Sequence, residues 1–262
     1  MKERINVDRL LHTVVPFIVM VLLQRFLLIV AGRFIPDSTL GELFAFLPSA
    51  AVAVTCLKLI PLDNPEDDGD GIPPLVKVKK RYCFMSVSMS AAILIVLMGL
   101  LSTYVFGEEV HTPGKTIQAF LSLVIIHPIV EEYLFRNLFY GDLRLMNPIF
   151  AALVQAVMFA IVHDTVNGMI YALLAGIVLA VTVEQTGDWL CSLIVHVLIN
   201  LRSYAYLTFF ADKEDIRDGI DIALVFIGFA ALIAAIIYMG RNVISARMPE
   251  SSSSEKDGDS DE

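Results

Sequence analysis

Long apolar runs separated by short polar stretches are the dominant pattern of this chain. A helix needs about 20 mostly apolar residues to cross the hydrocarbon core of a bilayer. On that rule the pattern predicts an all-α, polytopic membrane bundle of about eight transmembrane helices. The predicted spans are Leu10–Ala31, Gly41–Ile60, Tyr82–Phe106, Thr116–Leu143, Pro148–Val162, Val166–Val183, Trp189–Tyr206 and Ile220–Met239.

The composition supports a membrane protein. Of the 262 residues, 56% are hydrophobic, whereas soluble domains contain about 45–50% apolar residues. The three cysteines, Cys56, Cys83 and Cys191, are scattered and form no CxxC pair. The pattern therefore indicates neither a disulfide framework nor a zinc knuckle, and we expect small, buried apolar side chains.

The net charge of −9 comes largely from two short segments, Glu66–Asp70 and Glu255–Glu262. It says little about partners, and no nucleic-acid partner is predicted. The loop Asp63–Gly71 lacks the twelfth-position Glu of an EF-hand, so a solvated turn is expected. The Ser- and acid-rich tail, 249–262, is predicted to be disordered.

Basic residues in short loops predict the orientation, because Lys and Arg accumulate on the cytoplasmic side. The N-terminus, the Lys77–Arg81 cluster, Arg144 and the Arg241 region fall on one side of an eight-span bundle. Both termini are therefore predicted to be cytoplasmic.

Three charged side chains interrupt the fourth span. A charge at bilayer depth costs about 2.5–3.5 kcal/mol on insertion scales, so Glu131, Glu132 and Arg136 need a reason to be there. Glu132 and Arg136 are four residues apart, share a helix face and can neutralise each other. Glu131 has no obvious local partner, which makes it a candidate functional carboxylate.

Two further polar positions follow: His163, four residues after Phe159, and His196, four residues before Asn200. Glu131 and His163 each lie 16 residues from Asn147, where Asn-Pro predicts a turn. Antiparallel helices then place these two side chains at similar depth. His196 lies only nine residues after Gly187 and is expected to be shallower, unless the turn at Gly187-Asp188 dips into the membrane.

These residues suit hydrolysis, which needs a base to activate water and donors to stabilise an oxyanion. Glu131 and His163 can supply the first, and His196 and Asn200 the second. A structural role is the alternative, since intramembrane His and Asn also hydrogen-bond helices together. His127 shares a face with Glu131, but one HxxxE pair is weak support for a metal site.

The motifs EExxxR at Glu131–Arg136, FxxxH at Phe159–His163 and HxxxN at His196–Asn200 occur in this order on predicted helices. Together they resemble the CAAX protease and bacteriocin-processing family of intramembrane proteases, which includes type II, Ras-converting CAAX prenyl endopeptidases. The resemblance covers about Thr116–Tyr206. It divides the chain into N-terminal helices (1–115), a catalytic core (116–206), a last helix (207–248) and the tail. Asn137 and Ala156 depart from the family pattern.

The resemblance implies an intramembrane endopeptidase. Glu131 and His163 would activate water, and His196 and Asn200 would stabilise the oxyanion, with Glu132, Arg136 and Phe159 in support. The implied partners are membrane lipid and a membrane-anchored peptide or protein, with a prenylated CAAX tail as one candidate. No tightly bound metal is expected; the alternative is zinc held by Glu131, His163 and His196.

Two other functions fit the same polar residues. In a non-enzymatic immunity or scaffolding protein they would only lock helices together. In a proton-coupled transporter they would line an ion path, although no inverted repeat of broken helices is visible between the halves of the chain.

Overall fold

A computed structural model describes residues 7–60, 75–104, 116–210, 213, 216 and 219–233. Where the structure describes them, the ends of the predicted spans lie within three residues of the observed helix ends. The acidic loop 63–71 and the tail lie outside the described residues. The helices are α1 (Val7–Phe34), α2 (Ser38–Leu59), α3 (Lys80–Tyr104), α4 (Ile117–Leu143), α5 (Pro148–Ile161), α6 (Val166–Thr186), α7 (Trp189–Phe209) and α8 (Gly219–Ile233).

Five of these helices are long and apolar enough to cross a membrane: α1, α2, α3, α4 and α6. The protein is therefore an all-helical integral membrane protein. Helix α5 has 14 residues and rises by roughly 21 Å, less than the hydrocarbon core of about 30 Å. Helix α7 has the length of a span, with 21 residues, but carries His196 and Asn200.

Helix α4 is not a uniform α-helix. Its stretches Leu121–Ile126 and Tyr133–Phe139 are π-helical, with the wider i→i−5 bonding in which His127 N–H donates to the Ser122 carbonyl. The acidic pair lies on the short α-helical stretch His127–Glu132 between them. Apolar periodicity predicted the helix but not this winding, which is found at functional sites more often than elsewhere.

An aromatic cluster packs α1, α4 and α5 together below the acidic pair. The ring of Phe135 meets Phe17, Phe139 and Phe159 edge to face, with centroids 5.1–6.3 Å apart. Each such pair contributes about 0.5–1.5 kcal/mol beyond burial. The cluster buries Phe159 almost completely.

The hairpin between α4 and α5 forms where it was predicted. The Asn147 side chain accepts a hydrogen bond from Phe150 N–H, and Pro148 occupies the first helical turn. Beyond the hairpin, a Cβ on Gly176 of α6 would lie 2.9 Å from the Ala156 Cα and Cβ. The absence of a side chain at Gly176 therefore lets α6 approach α5 closely at Ala156, a departure from the family pattern.

The α6–α7 turn contains Gly187, the one described glycine with a positive φ, 68°. The segment 75–79 passes directly over this turn, and Val78 N–H donates to the Thr186 carbonyl. A side chain at Gly187 would overlap the Val76 carbonyl. Glycine is therefore required here both for its conformation and for this close approach.

Cys83 and Cys191 form a disulfide between α3 and α7, so the prediction of unpaired cysteines was wrong for this pair. Their separation of 108 residues explains the error, because the spacing of nearby cysteines in the sequence cannot indicate a disulfide between distant helices. Cys56 is the free cysteine of the described chain.

Ion pairs tie the ends of the helices together. Arg144, just after α4, makes two hydrogen bonds of 2.7 and 2.8 Å to the Glu184 carboxylate of α6. These bonds raise the pKa of Arg144 above its usual value. Asp142 accepts hydrogen bonds from Arg9 and from Thr13 of α1. Glu184 therefore links the end of α6 to the end of α4.

Candidate active site

A polar cavity of about 240 Å³ opens between α1, α2, α4 and α7 and the end of α5. Glu131, His163, His196 and Asn200, predicted from three separate helical regions, all line it. The polar lining also contains Gln24, Glu42, His127 and Asp164. The structure thus brings the predicted residues together, and their catalytic roles stay predictions.

The two adjacent glutamates have different surroundings. The Glu131 side chain is 13% exposed and its Oε2 lies 3.6 Å from Nε2 of His196. That distance is too long for a hydrogen bond, but the Glu131 carboxylate and the His196 ring are close enough to interact electrostatically. The Glu132 side chain is fully buried behind it. Glu131 can therefore meet a substrate or water, whereas Glu132 can act only through its neighbours.

His196 is held by Glu132. Its Nδ1 lies 2.8 Å from Glu132 Oε1, so Nδ1–H donates to the carboxylate and Nε2 is turned towards Glu131. This contact also overturns the expectation that His196 is shallower than the acidic pair. Residue counting measures depth from the turn at Gly187, and that turn lies beneath the segment 75–79.

Glu132 and Arg136 form the predicted ion pair, with 3.2 Å between Nη1 and Oε1. Arg136 is also fully buried, and none of its three side-chain nitrogens makes a hydrogen bond. Its guanidinium lies 4.2 Å from the centroid of Phe159, which suits a cation–π interaction. Arg136 therefore stabilises the negative charge of Glu132 electrostatically. The hydrogen bonds that orient the Glu132 carboxylate come from other residues.

His163 and Asn200 complete the wall of the cavity. His163 Nδ1–H donates to the Phe159 carbonyl at 2.9 Å, which leaves Nε2 as the nitrogen available for proton transfer. Asn200 uses one of its N–H groups in a 2.9 Å bond to the Leu123 carbonyl. The Phe159 ring packs edge-on against both His163 and His196.

A second cavity of about 160 Å³ lies on the other side of this wall. It shares His163, His196 and Asn200 with the polar cavity, but the rest of its lining is mostly apolar. Leu94 and Met98 of α3 and Ala172 and Ala175 of α6 contribute to it. The candidate site therefore has a polar side and an apolar side.

A family model described as "Type II CAAX prenyl endopeptidase Rce1-like" matches residues 113–202. This segment is similar to the Rce1-like family of type II CAAX prenyl endopeptidases. It makes up about a third of the 262 residues and contains Glu131, His163, His196 and Asn200. No curated protein and no solved structure matches the chain.

The similarity of this segment to CAAX prenyl endopeptidases supports a protease role for a membrane protein. The match agrees with the resemblance seen in the motifs. All three motifs lie within it, whereas α1, α2 and α3 lie outside. Those outer helices nevertheless contribute Gln24 and Glu42 to the polar cavity.

The side chains around the polar cavity include several groups that can bind metal ions. Among the described residues, no three His, Cys, Asp or Glu side chains form a group suited to hold one. His127 faces the polar cavity, but its Nδ1 lies 3.0 Å from the Ser122 carbonyl and its ring stacks on Phe46. A site without a tightly bound metal stays a prediction, with zinc held by Glu131, His163 and His196 as its alternative.

Several residues of the candidate active site were not predicted from the sequence. Ser192 Oγ lies 2.6 Å from Glu132 Oε2, and its place four residues before His196, on one helix face, was the available signal. Asp164 pairs with Arg25 of α1 beside the polar cavity. Gln24 and Glu42 belong to helices outside the motifs, and nothing in their local sequence indicated the site.

Proposed function

We propose that this chain is an intramembrane endopeptidase that hydrolyses a peptide bond by the glutamate mechanism. The observation that supports it is the convergence of Glu131, His163, His196 and Asn200 on one cavity within the Rce1-like segment. A polar cavity of about 240 Å³ has room for a water molecule and a peptide carbonyl together, and hydrogen-bond donors fixed in its wall can stabilise the charge that develops on the carbonyl oxygen.

In the proposed reaction, Glu131 accepts a proton from water while the oxygen attacks the peptide carbonyl carbon. His163 Nε2 assists this proton transfer. The carbon–oxygen bond forms, and the carbonyl oxygen becomes an oxyanion. The carbon–nitrogen bond then breaks, and the proton taken from water passes to the leaving nitrogen. The products are a carboxylic acid and an amine, so one water is consumed.

The oxyanion is stabilised by hydrogen-bond donors on α7. Asn200 donates through the N–H that is not bonded to Leu123. His196 donates from Nε2 in the form that carries both ring protons, in which Nδ1–H stays on Glu132. Removal of one such donor typically lowers kcat by about 100- to 1000-fold.

The apolar cavity supports a preference for an apolar group beside the scissile bond. A cavity of about 150 Å³ lined by Leu, Ile and Phe binds a molecule the size of benzene, and this one measures about 160 Å³. A single apolar side chain therefore fits. A CAAX-type prenylated C-terminal tail is the first substrate class to test. In this proposal both termini of the protease lie on the cytoplasmic side.

The test uses the full chain in proteoliposomes with membrane-anchored fluorogenic peptides, prenylated and unprenylated. Glu131→Gln and His163→Ala should each lower turnover by about 100-fold or more, the usual contribution of a general base. Asp8→Asn, which changes an exposed carboxylate, should leave turnover unchanged. Full turnover in Glu131→Gln would refute the proposal, and metal analysis of the purified protein decides the zinc alternative.

A further inference from the structure

Ser192 lies in the first turn of α7 and is fully buried. Its Oγ lies 2.6 Å from Glu132 Oε2 and 2.7 Å from the Trp189 carbonyl. A hydroxyl has one proton to donate. The ionised acceptor forms the stronger bond, so the proton goes to Glu132, and the Trp189 carbonyl is the local alternative.

We propose that Ser192 is a positioning residue for hydrolysis, acting through Glu132 on His196; this inference rests on the proposed function. Two donors one helical turn apart on α7 hold the two oxygens of one carboxylate: His196 bonds Oε1 and Ser192 bonds Oε2. The last torsion of a glutamate is otherwise broad. Hydrogen bonds at both oxygens fix the plane of the Glu132 carboxylate. The orientation of this plane in turn fixes the orientation of the His196 imidazole.

Arg136 cannot replace this function of Ser192. It lies close to Glu132 Oε1, but its side-chain nitrogens make no hydrogen bonds. It therefore stabilises the charge of Glu132 without holding its orientation. Without Ser192, the carboxylate can rotate about its remaining bond to His196, and the 3.6 Å approach of His196 Nε2 to Glu131 is lost for part of the time.

The kinetic test compares Ser192→Ala with Ser90→Ala. Ser90 is also buried and bonds the Thr182 hydroxyl at 2.7 Å between α3 and α6, so it controls for the loss of a buried hydroxyl bond. Ser192→Ala should lower kcat about tenfold with an unchanged KM, because a hydrogen bond to a charged group is lost. Ser192→Thr should restore part of the rate. Equal kcat values for Ser192→Ala and Ser90→Ala would overturn the proposal.

A double-variant comparison tests the route of the effect. If Ser192 acts through Glu132, Ser192→Ala should add almost nothing to the loss caused by Glu132→Gln. Multiplication of the two losses would show that Ser192 acts independently and would overturn the proposal.

A spectroscopic test separates this inference from the proposed function. Nitrogen-15 NMR of labelled histidine, recorded at a pH at which the imidazole is neutral, should place the His196 proton on Nδ1 in the wild type and in Ser90→Ala. Ser192→Ala should give a mixture of tautomers. If the wild type cleaves no peptide, the proposed function fails while this measurement still decides the role of Ser192. An unchanged His196 spectrum in Ser192→Ala would refute the positioning role of Ser192.

Discussion

Replacement of Arg136 by Met removes the positive charge from the most buried ion pair of the described structure. Both side chains of the Glu132–Arg136 pair have no exposed surface, and 3.2 Å separates Nη1 from Oε1. Removal of one partner from a buried pair costs about 3–5 kcal/mol of unfolding free energy. Arg136→Met should cost about 3 kcal/mol, because Ser192 and His196 still bond the remaining carboxylate.

Replacement of Glu132, the other partner of the pair, should cost more unfolding free energy than replacement of Arg136. Glu132→Gln leaves the Arg136 charge buried without its counter-ion, and its nitrogens have no hydrogen bonds to compensate. We therefore expect a loss near the upper limit, about 5 kcal/mol. The double variant Glu132→Gln/Arg136→Met buries no isolated charge, so it should be less destabilised than either single variant.

The measurement is equilibrium unfolding in mixed detergent micelles with a rising fraction of dodecyl sulfate, followed by circular dichroism. The control is the Arg25–Asp164 pair, whose side chains are 44% and 68% exposed. Arg25→Met should cost less than about 1 kcal/mol, as exposed pairs do. Losses below about 1 kcal/mol for both single variants at the buried pair, or additive losses in the double variant, would refute the reasoning.

Two further predictions concern the disulfide and the apolar cavity. Cys83→Ser should lower the unfolding free energy by about 2–4 kcal/mol under oxidising conditions and have no effect in reductant, as the same unfolding assay checks. Equal losses in both conditions would contradict a disulfide contribution. Ala175→Leu narrows the apolar cavity and should lower kcat/KM for peptides with Leu beside the scissile bond at least about tenfold more than for peptides with Ala. Parallel losses for both peptides would show that this cavity does not bind the side chain.

Much of the helical arrangement could be predicted because apolar runs report membrane-length helices directly. The Asn147-Pro148 turn and the equal distances of Glu131 and His163 from it placed both residues at one level, and both line the polar cavity. The ion pair of Glu132 with Arg136 followed from their spacing of four residues.

The missed features depend on contacts between distant parts of the chain. Nothing near Cys83 indicates Cys191, and nothing in α1 or α2 indicates that Gln24 and Glu42 reach the cavity. Periodicity also could not assign the second glutamate, Glu132, to His196, since that bond depends on how α7 packs against α4. Sequence patterns describe helix faces, whereas packing decides which faces meet.

The π-helical stretches on both sides of the acidic pair give α4 an unusual tolerance to changes of length. A wide turn contains one residue more than an ordinary turn, so deletion of Leu138 from Tyr133–Phe139 can be absorbed by rewinding that stretch as an α-helix. An insertion into the regular stretch His127–Glu132 has no such outlet and would turn the carboxylates about 100° around the helix axis. Evolution can therefore shorten this helix beside its reactive groups without turning them away from the cavity.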